Sequence, residues 1–405
     1  MGRRAGLRTL MDLGLMQRSF GRYRMPPEWH RHSQTLTVWP DLGSVGNEKL
    51  LQQARSEVST ISNAIARFEP VIMFTRPNQV DEALRSVAKG VTVRPLRASH
   101  LWIRDSGPIF VYGQSNGSFA GLKLRFNNWG SKFPSLGDET VAADIIDACA
   151  TPVVDPKSAA LNPTSDILIQ CKEALAAEFD EEKVIPATDP GFTSEGGAIE
   201  VDGCGTLLAT ESSIINPNRN PLMTKMQLEE KFIRYLGAYK TIWLPGIKGY
   251  DSTDYHIDAF ARFIKPGQVL LSRPSNWAEH CVVLAFEEAR EILASETDER
   301  GHRLEVIEVE EPNPRHLEGK HFGVTVASYA NYYLVNGGLI MPRFGVGKLD
   351  DNAYELFRKH FPDREIVQVD LNALPRLGGG IHCATQQVPT ESELARAIRR
   401  GELRS

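Results

Sequence analysis

The chain has 405 residues, a formal net charge of −5 at pH 7, 41% hydrophobic and 24% charged residues, and 33 glycines. It exceeds a typical single core of about 250 to 300 residues, so two domains or one repeat-built domain is expected, and the composition excludes a disordered or fibrous chain. The acidic balance argues against a nucleic-acid footprint, no apolar run nears the roughly 20 residues that span a bilayer, and nothing at the N-terminus resembles a secretory h-region.

Residues 1–24 hold six arginines and one acid, Asp12, ahead of Met25. They read as a disordered basic leader or a misassigned start; an organelle transit segment is the alternative, but it usually carries more serine. Gly2 suggests myristoylation, yet Gly6 stands where Ser or Thr is wanted. Residues 25–400 are expected as one catalytic domain, located in the cytoplasm. TLTVW at 35–39, a helix around 49–68 and PVIMFT at 70–75 come first.

From about residue 109 onward one pattern recurs: two extended runs joined by a glycine turn, a helix, then another extended run. The hairpins are IFVY with FAGLKLRF, AIEV with TLLAT, HIDAFARFI with QVLLS, and NYYLV with LIMPRF. Helices are predicted at 138–149, 224–236, 277–293 and 350–361, followed by the runs TPVV, TIWLP, LEVIEV and EIVQV. The N-terminal elements and the residues after Cys383 would close a fifth unit. Residues 151–180 look like a surface insertion within the first copy. The repeat rests on element order, since the copies share almost no residues.

Five cysteines, at 149, 171, 204, 281 and 383, form no CxxC pair, so neither a disulfide framework nor a structural zinc site is expected. Cys149 and Cys281 sit in apolar helical runs and read as small buried hydrophobes.

Reactive side chains fall at one place in successive copies, just before or at the start of the hairpin: Asp105 in WIRDSGP, Glu195 before two glycines, His256 with Asp258, and Cys383 after GGGIH. Copies arranged around an axis would gather them in one pocket. Singly, Asp105 could cap a turn, Glu195 could be a solvated loop acid, and Cys383 merely follows glycines that let a ligand approach. His256 and Asp258 are expected on one face of a strand, where a histidine is commonly structural. Together they suit a guanidinium, which is planar, permanently charged and held bidentately by carboxylates. Asp105 and Asp258 suit the clamp. Cys383 suits attack on the central carbon, His256 protonation of the departing nitrogen, and Glu195 the support of His256. Such an electrophile carries its own charge, so no metal is required and no cofactor is expected.

The sequence resembles the agmatine deiminase family of guanidino-group-modifying enzymes. The resemblance spans residues 25 to about 389 and rests on MPPEW at 25–29 with Trp39–Pro40, WIRDSGP at 102–108 and FNNWG at 126–130. It continues through EGGAIEVDG from 195, NPNRNP at 216–221, SYANYYLVNGG at 328–338 and GGGIHCATQQVP at 378–389. It implies an α/β pentein (α/β-propeller) fold of five pseudo-symmetric ββαβ units. It implies hydrolysis of agmatine to N-carbamoylputrescine and ammonia, on the way to polyamines. It assigns Cys383 as nucleophile, His256 as acid and base, Glu195 as its partner and Asp105 with Asp258 as the clamp. It also places Trp39, Trp102 and Gly380 beside the substrate, makes the partner a small cationic molecule and is compatible with a homodimer. One departure is Tyr255, where the family motif has a small residue.

Two other functions fit the same residues. A deiminase of free or C-terminal peptidyl arginine would need a cation for the α-carboxylate, with Arg262 and Arg343 as candidates. A catalytically silent binder of guanidinium ligands would keep the clamp without turnover. A thiol protease is disfavoured, because the acids would repel a developing oxyanion.

Overall fold

The computed structural model describes residues 21–150, 187–317, 324–392 and 396. The strands and long helices begin with β1 (Tyr23–Arg24), β2 (His32–Val38), α1 (Glu48–Ile65), β3 (Val71–Thr75) and β4 (Val91–Pro95). Next come β5 (Ile109–Gly113), β6 (Phe119–Leu122), α2 (Val141–Ala150), β7 (Ala187–Thr188), β8 (Glu200–Val201), β9 (Thr206–Thr210), α3 (Lys225–Leu236) and β10 (Lys240–Leu244). The chain continues through β11 (Ala261–Lys265), β12 (Gln268–Arg273), α4 (His280–Ser295) and β13 (Glu305–Glu310). It ends with β14 (Tyr333–Val335), β15 (Gly338–Arg343), α5 (Lys348–His360), β16 (Glu365–Asp370) and β17 (Gln386–Pro389).

Local chemistry sets the helix ends. Asn47 caps α1 by accepting the Leu50 N–H, and Leu50, Leu51, Ala54, Val58, Ile61 and Ile65 form its buried stripe at three- and four-residue spacing. Each such aliphatic side chain contributes about 1.5–3 kcal/mol when fully buried. A reciprocal capping box between Thr224 and Gln227 starts α3, and Gly237, at φ 67°, stops it. Strands β3 and β9 are buried along their whole length, as parallel strands covered on both faces must be.

The strands form five sheets: β1-β5-β6-β7, β10-β9-β8, β11-β12-β13, β14-β15-β16 and β17-β2-β3-β4. Four repeat one plan, an antiparallel hairpin followed by a crossover to a parallel strand. The fifth joins the ends of the chain: β17 lies antiparallel to β2, with Gln386 opposite Leu36, while β2 and β3 are parallel. This is the α/β arrangement of ββαβ units expected of a pentein. A shared core of Leu51, Ile61, Leu334 and Leu339 welds the fifth unit to the fourth. No helix among the described residues is long and apolar enough to cross a membrane.

Several expectations change. The strand drawn from His256 starts only at Ala261; Ile257–Ala259 is a single 3-10 turn, so His256 and Asp258 are not strand neighbours. Residues 23–24, assigned to the leader, pair with Tyr112 and Gly113, because the Tyr23 ring is buried and stacks 6.5 Å from Tyr235. Cys281 is exposed, since the first turn of α4 turns it away from the buried stripe that begins at Val282. The insertion at 151–180, the run TPVV and the side chain of Cys149 lie outside the described residues; the parallel strand of the first unit is β7.

Candidate active site

Each unit carries a short irregular segment just before its hairpin, and these five segments build the site. The first is the helical turn Ile103–Ser106, which buries Asp105. Arg104 ties this turn to the last segment: its N–H donates to the Cys383 carbonyl at 3.2 Å, and its guanidinium to the His382 carbonyl at 3.3 Å and Gln387 at 2.7 Å. The second is the 3-10 turn Gly196–Ala198 after Glu195, and the third carries His256 and Asp258. The fourth ends at Asn331, and the fifth holds Gly380 and Cys383.

The Cys383 Sγ lies 3.5 Å from Asp258 Oδ2 and 3.3 Å from Asn331 Nδ2. Asn331 Oδ1 accepts the His382 N–H at 3.0 Å, fixing the backbone beside the thiol. A Cβ on Gly380 would lie 2.5 Å from that oxygen, so only glycine admits Asn331 here. His256 places Nδ1 3.7 Å from Asp105 Oδ1 and Nε2 3.4 Å from Glu195 Oε2. These separations are long for hydrogen bonds, as is common before a substrate tightens a site. The other Glu195 oxygen accepts Arg219 Nε at 2.6 Å. Asp105 accepts the Gly197 N–H at 3.0 Å and the Trp129 indole N–H at 2.9 Å. Asp258 Oδ1 is buried without a partner among the described residues, an arrangement that costs free energy until a donor arrives.

Gly197 sits where the reactive groups crowd: a Cβ there would meet His256 Nδ1 at 2.6 Å, Asp105 Oδ1 at 2.8 Å and Asp258 Oδ2 at 3.0 Å. Gly197→Ala is expected to displace the acids and reduce kcat/KM by about 10- to 100-fold, the equivalent of 1–3 kcal/mol of overpacking. Steady-state kinetics check this, and a normal rate would show that the acids tolerate displacement.

Charge is concentrated and unequal. Burial alone would lower His256, but the Asp105 carboxylate, then Glu195 and Asp258, raise it to about 9. Burial, then the Asp258 and Asp105 charges, push the Cys383 thiol well above its ordinary value. Burial raises Asp105, with His256 pulling it down and Asp258 and Glu195 pushing it up. Asp258 is held low despite burial, chiefly by the bond and charge of His382.

A cavity of about 60 Å3 opens onto this cluster, lined among others by Asp105, Cys383, Trp102, Trp129, Phe133 and Thr253. The structure therefore brings Cys383, His256, Glu195, Asp105 and Asp258 together, with Trp102 in the wall against Gly379. Trp39 is elsewhere: it is buried in the core, with the Arg55 guanidinium 5.2 Å over its ring, and does not line the cavity. Tyr255 also stays out, packed edge-on 5.8 Å from Tyr250 and 5.1 Å from Phe260. Its φ of 74° lies in the left-handed region that favours glycine. Sequence reasoning missed Asn331, Arg219, Arg104, Trp129, His382 and Glu28. The repeat itself marked Asn331, which precedes the fourth hairpin as Cys383 precedes the fifth.

The model of the Porphyromonas-type peptidyl-arginine deiminases matches residues 24–389. An agmatine deiminase of Medicago truncatula is 32% identical, over 92% of this chain and 97% of its own. One of Stutzerimonas stutzeri is also 32% identical, over 91% and 95%. Among solved structures, the agmatine deiminase of Enterococcus faecalis superposes with a TM-score of 0.75 at 26% identity, covering 91% of this chain and 96% of that one. With its five ββαβ sheets and the thiol, imidazole and carboxylates they gather, the chain belongs to the Porphyromonas-type peptidyl-arginine deiminase family, which includes the agmatine deiminases.

Proposed function

We propose that the chain hydrolyses agmatine to N-carbamoylputrescine and ammonia through a covalent bond to Cys383. The observation that carries this reading is the convergence of a thiol, an imidazole raised to about 9 and two carboxylates, one with an unpaired buried oxygen. The relatives named agmatine deiminase support the substrate.

Asp105 and Asp258 receive the guanidinium, with Asp258 Oδ1 as the open acceptor. Burial and these two charges hold the thiol protonated in the empty site. A bound guanidinium offsets them, so the thiol proton leaves to solvent and the thiolate attacks the central carbon. His256 gives its proton to the departing nitrogen, and ammonia leaves as its C–N bond breaks. The neutral His256 then takes a proton from water, whose oxygen attacks the same carbon. Collapse breaks the C–S bond and restores the thiolate, and the remaining hydroxyl proton goes to solvent as the neutral carbamoyl product is released. Glu195, bonded to Arg219 on its other oxygen, keeps His256 oriented.

Arginine fits less well. Arg262 is fully buried against Glu200 and Glu28, Arg343 is half-exposed beside Asp370, and no lysine or arginine is among the described residues that line the cavity. Incubation of the purified protein with agmatine and with arginine tests the reading: carbamoylputrescine and ammonia are expected from the first. Citrulline as the faster product, or no ammonia from either, would overturn it.

A pH dependence follows from His256. The acid form must be present to protonate the leaving nitrogen, so at saturating substrate kcat is expected to fall as pH rises past the bound-state value of His256, which the substrate's positive charge brings no higher than the free site's value of about 9. Methylguanidine, which lacks the second amine of agmatine, is the substrate for this measurement. A profile still flat a full unit above that value removes His256 from the acid role.

A further inference from the structure

Two features of the chain have no part in the chemistry above: His382, beside the nucleophile, and Glu28, in the MPPEW segment some 354 residues away. They meet at the site. His382 Nδ1 lies 2.8 Å from Asp258 Oδ2, and its Nε2 2.7 Å from Glu28 Oε2. All three side chains are buried, with residue exposures of 2%, 1% and 7% for His382, Asp258 and Glu28. An ionised carboxylate only accepts, so an imidazole held between two of them must donate from both nitrogens and carry a charge.

The row continues. Glu28 Oε1 accepts the Leu334 N–H at 2.9 Å and lies 3.0 Å from the Arg262 guanidinium, while Arg104 stands 3.5 Å from Oε2. Arg262 is fully buried on β11 and donates to Glu200 at 2.9 Å. Charges thus alternate from Arg262 through Glu28 and His382 to Asp258, the acid that touches the thiol.

We propose that Glu28 and His382 are positioning residues for deimination, fixing the Asp258 carboxylate by its Oδ2 so that Oδ1 is left to receive the guanidinium. A carboxylate turns easily about its last torsion, whose wells are broad and two-fold. Held by one oxygen against a ring that is itself held on both sides, it presents the other in a single direction, and that preorganisation is what a near-attack geometry requires. The electrostatics agree. Burial raises Asp258, and His382 is the largest influence opposing it, ahead of His256 and Arg262. The groups facing Asp258 are these three cations, the Asp105 carboxylate and the Cys383 thiol; those facing His382 are Asp258, Glu28 and Glu200. Glu28 in turn is held well below its ordinary value against its own burial, by Arg262 first and then His382.

The inference rests on the deimination reading, which ammonia release by the unaltered protein tests separately. The charge row is tested without turnover by neutron diffraction from the unaltered protein: deuterium is expected on both ring nitrogens of His382, and one bare nitrogen overturns the proposal. Glu28→Gln then keeps the shape and a hydrogen bond to His382 but removes the charge that holds its second proton. The acid limb of kcat/KM for agmatine is expected to move up by about one to three pH units, the usual effect of an opposite charge at this distance, with the loss largest at low pH and shrinking as pH rises. His382→Asn, which retains a donor near Nδ1, is expected to move the limb in the same direction. A limb that stays in place in both variants, with an equal loss at every pH, means that the pair serves only to hold the fold and overturns the proposal. If neither variant folds, the neutron map still decides.

Discussion

Cys383→Ser is expected to reduce agmatine turnover by at least about 10⁴-fold, the scale on which loss of a covalent nucleophile acts, while agmatine still binds. The hydroxyl occupies nearly the same space, and the Asp105 and Asp258 acids that receive the guanidinium are untouched. What disappears is the ionisable sulfur. The thiol is already pushed up by burial and by two carboxylates, and the proposed mechanism relies on the charge of the substrate to bring it within reach of ionisation. An alcohol is several units weaker as an acid, so the same relief leaves it protonated and a poor nucleophile. Calorimetry should find agmatine bound with an affinity close to that of the unaltered protein, and single-turnover assays should find no ammonia. Turnover within about 100-fold of normal would remove Cys383 from its role; loss of binding would mean that the thiol shapes the clamp.

What was legible in the sequence had local or periodic signals. The hairpin–helix–strand pattern comes from alternation in strands and a stripe in helices, and the structure follows it in β5 with β6, α3, α4 and α5, down to β17 closing on β2. Cys383, Asp105 and Glu195 stood out because reactive side chains occupied one place in successive copies, a regularity that survives without identical residues. Asn331 obeyed the same rule and was passed over, because an amide between two aromatic-rich runs has no reactivity of its own. Its role comes from a contact with a sulfur 52 residues away. Glu28 is further still from His382 in the chain, and Arg104 reaches across 278 residues to the His382 carbonyl. No window of sequence holds both ends of such a bond. His256 and Asp258 do lie beside Asp105 and Cys383, but not for the local reason that the spacing suggests. The two-residue spacing fits a strand, but positive φ at Asp254 and Tyr255 reverses the chain just before them, and the 3-10 turn sets their directions. The Asp251 carboxylate holds that reversal by accepting the N–H groups of Thr253 at 2.8 Å and Tyr255 at 3.0 Å. Packing of the Tyr255 ring against Tyr250 and Phe260 offsets the strain that a non-glycine residue brings there.

The acid nearest the thiol gives a result with two opposite signs. Asp258→Asn removes the carboxylate whose Oδ1 is unpaired and whose Oδ2 lies 3.5 Å from the sulfur. Guanidinium binding then loses a buried, charge-assisted partner, a loss of about 3 kcal/mol or more, so affinity for agmatine is expected to fall by at least about 10²-fold. Urea-type isosteres carry no charge and should lose much less. The thiol moves the other way. After burial, the Asp258 charge is the largest influence holding it up, and an amide in its place lowers the thiol. Alkylation of Cys383 by a neutral reagent such as iodoacetamide should therefore become faster near pH 7, although turnover has fallen. The two measurements together separate the roles. A carboxylate that merely supported the fold would weaken charged and neutral ligands alike and leave alkylation unchanged. Slower alkylation in Asp258→Asn would mean that the acid assists the thiol directly, by taking its proton, and the account in which the substrate's charge releases the thiolate would fail.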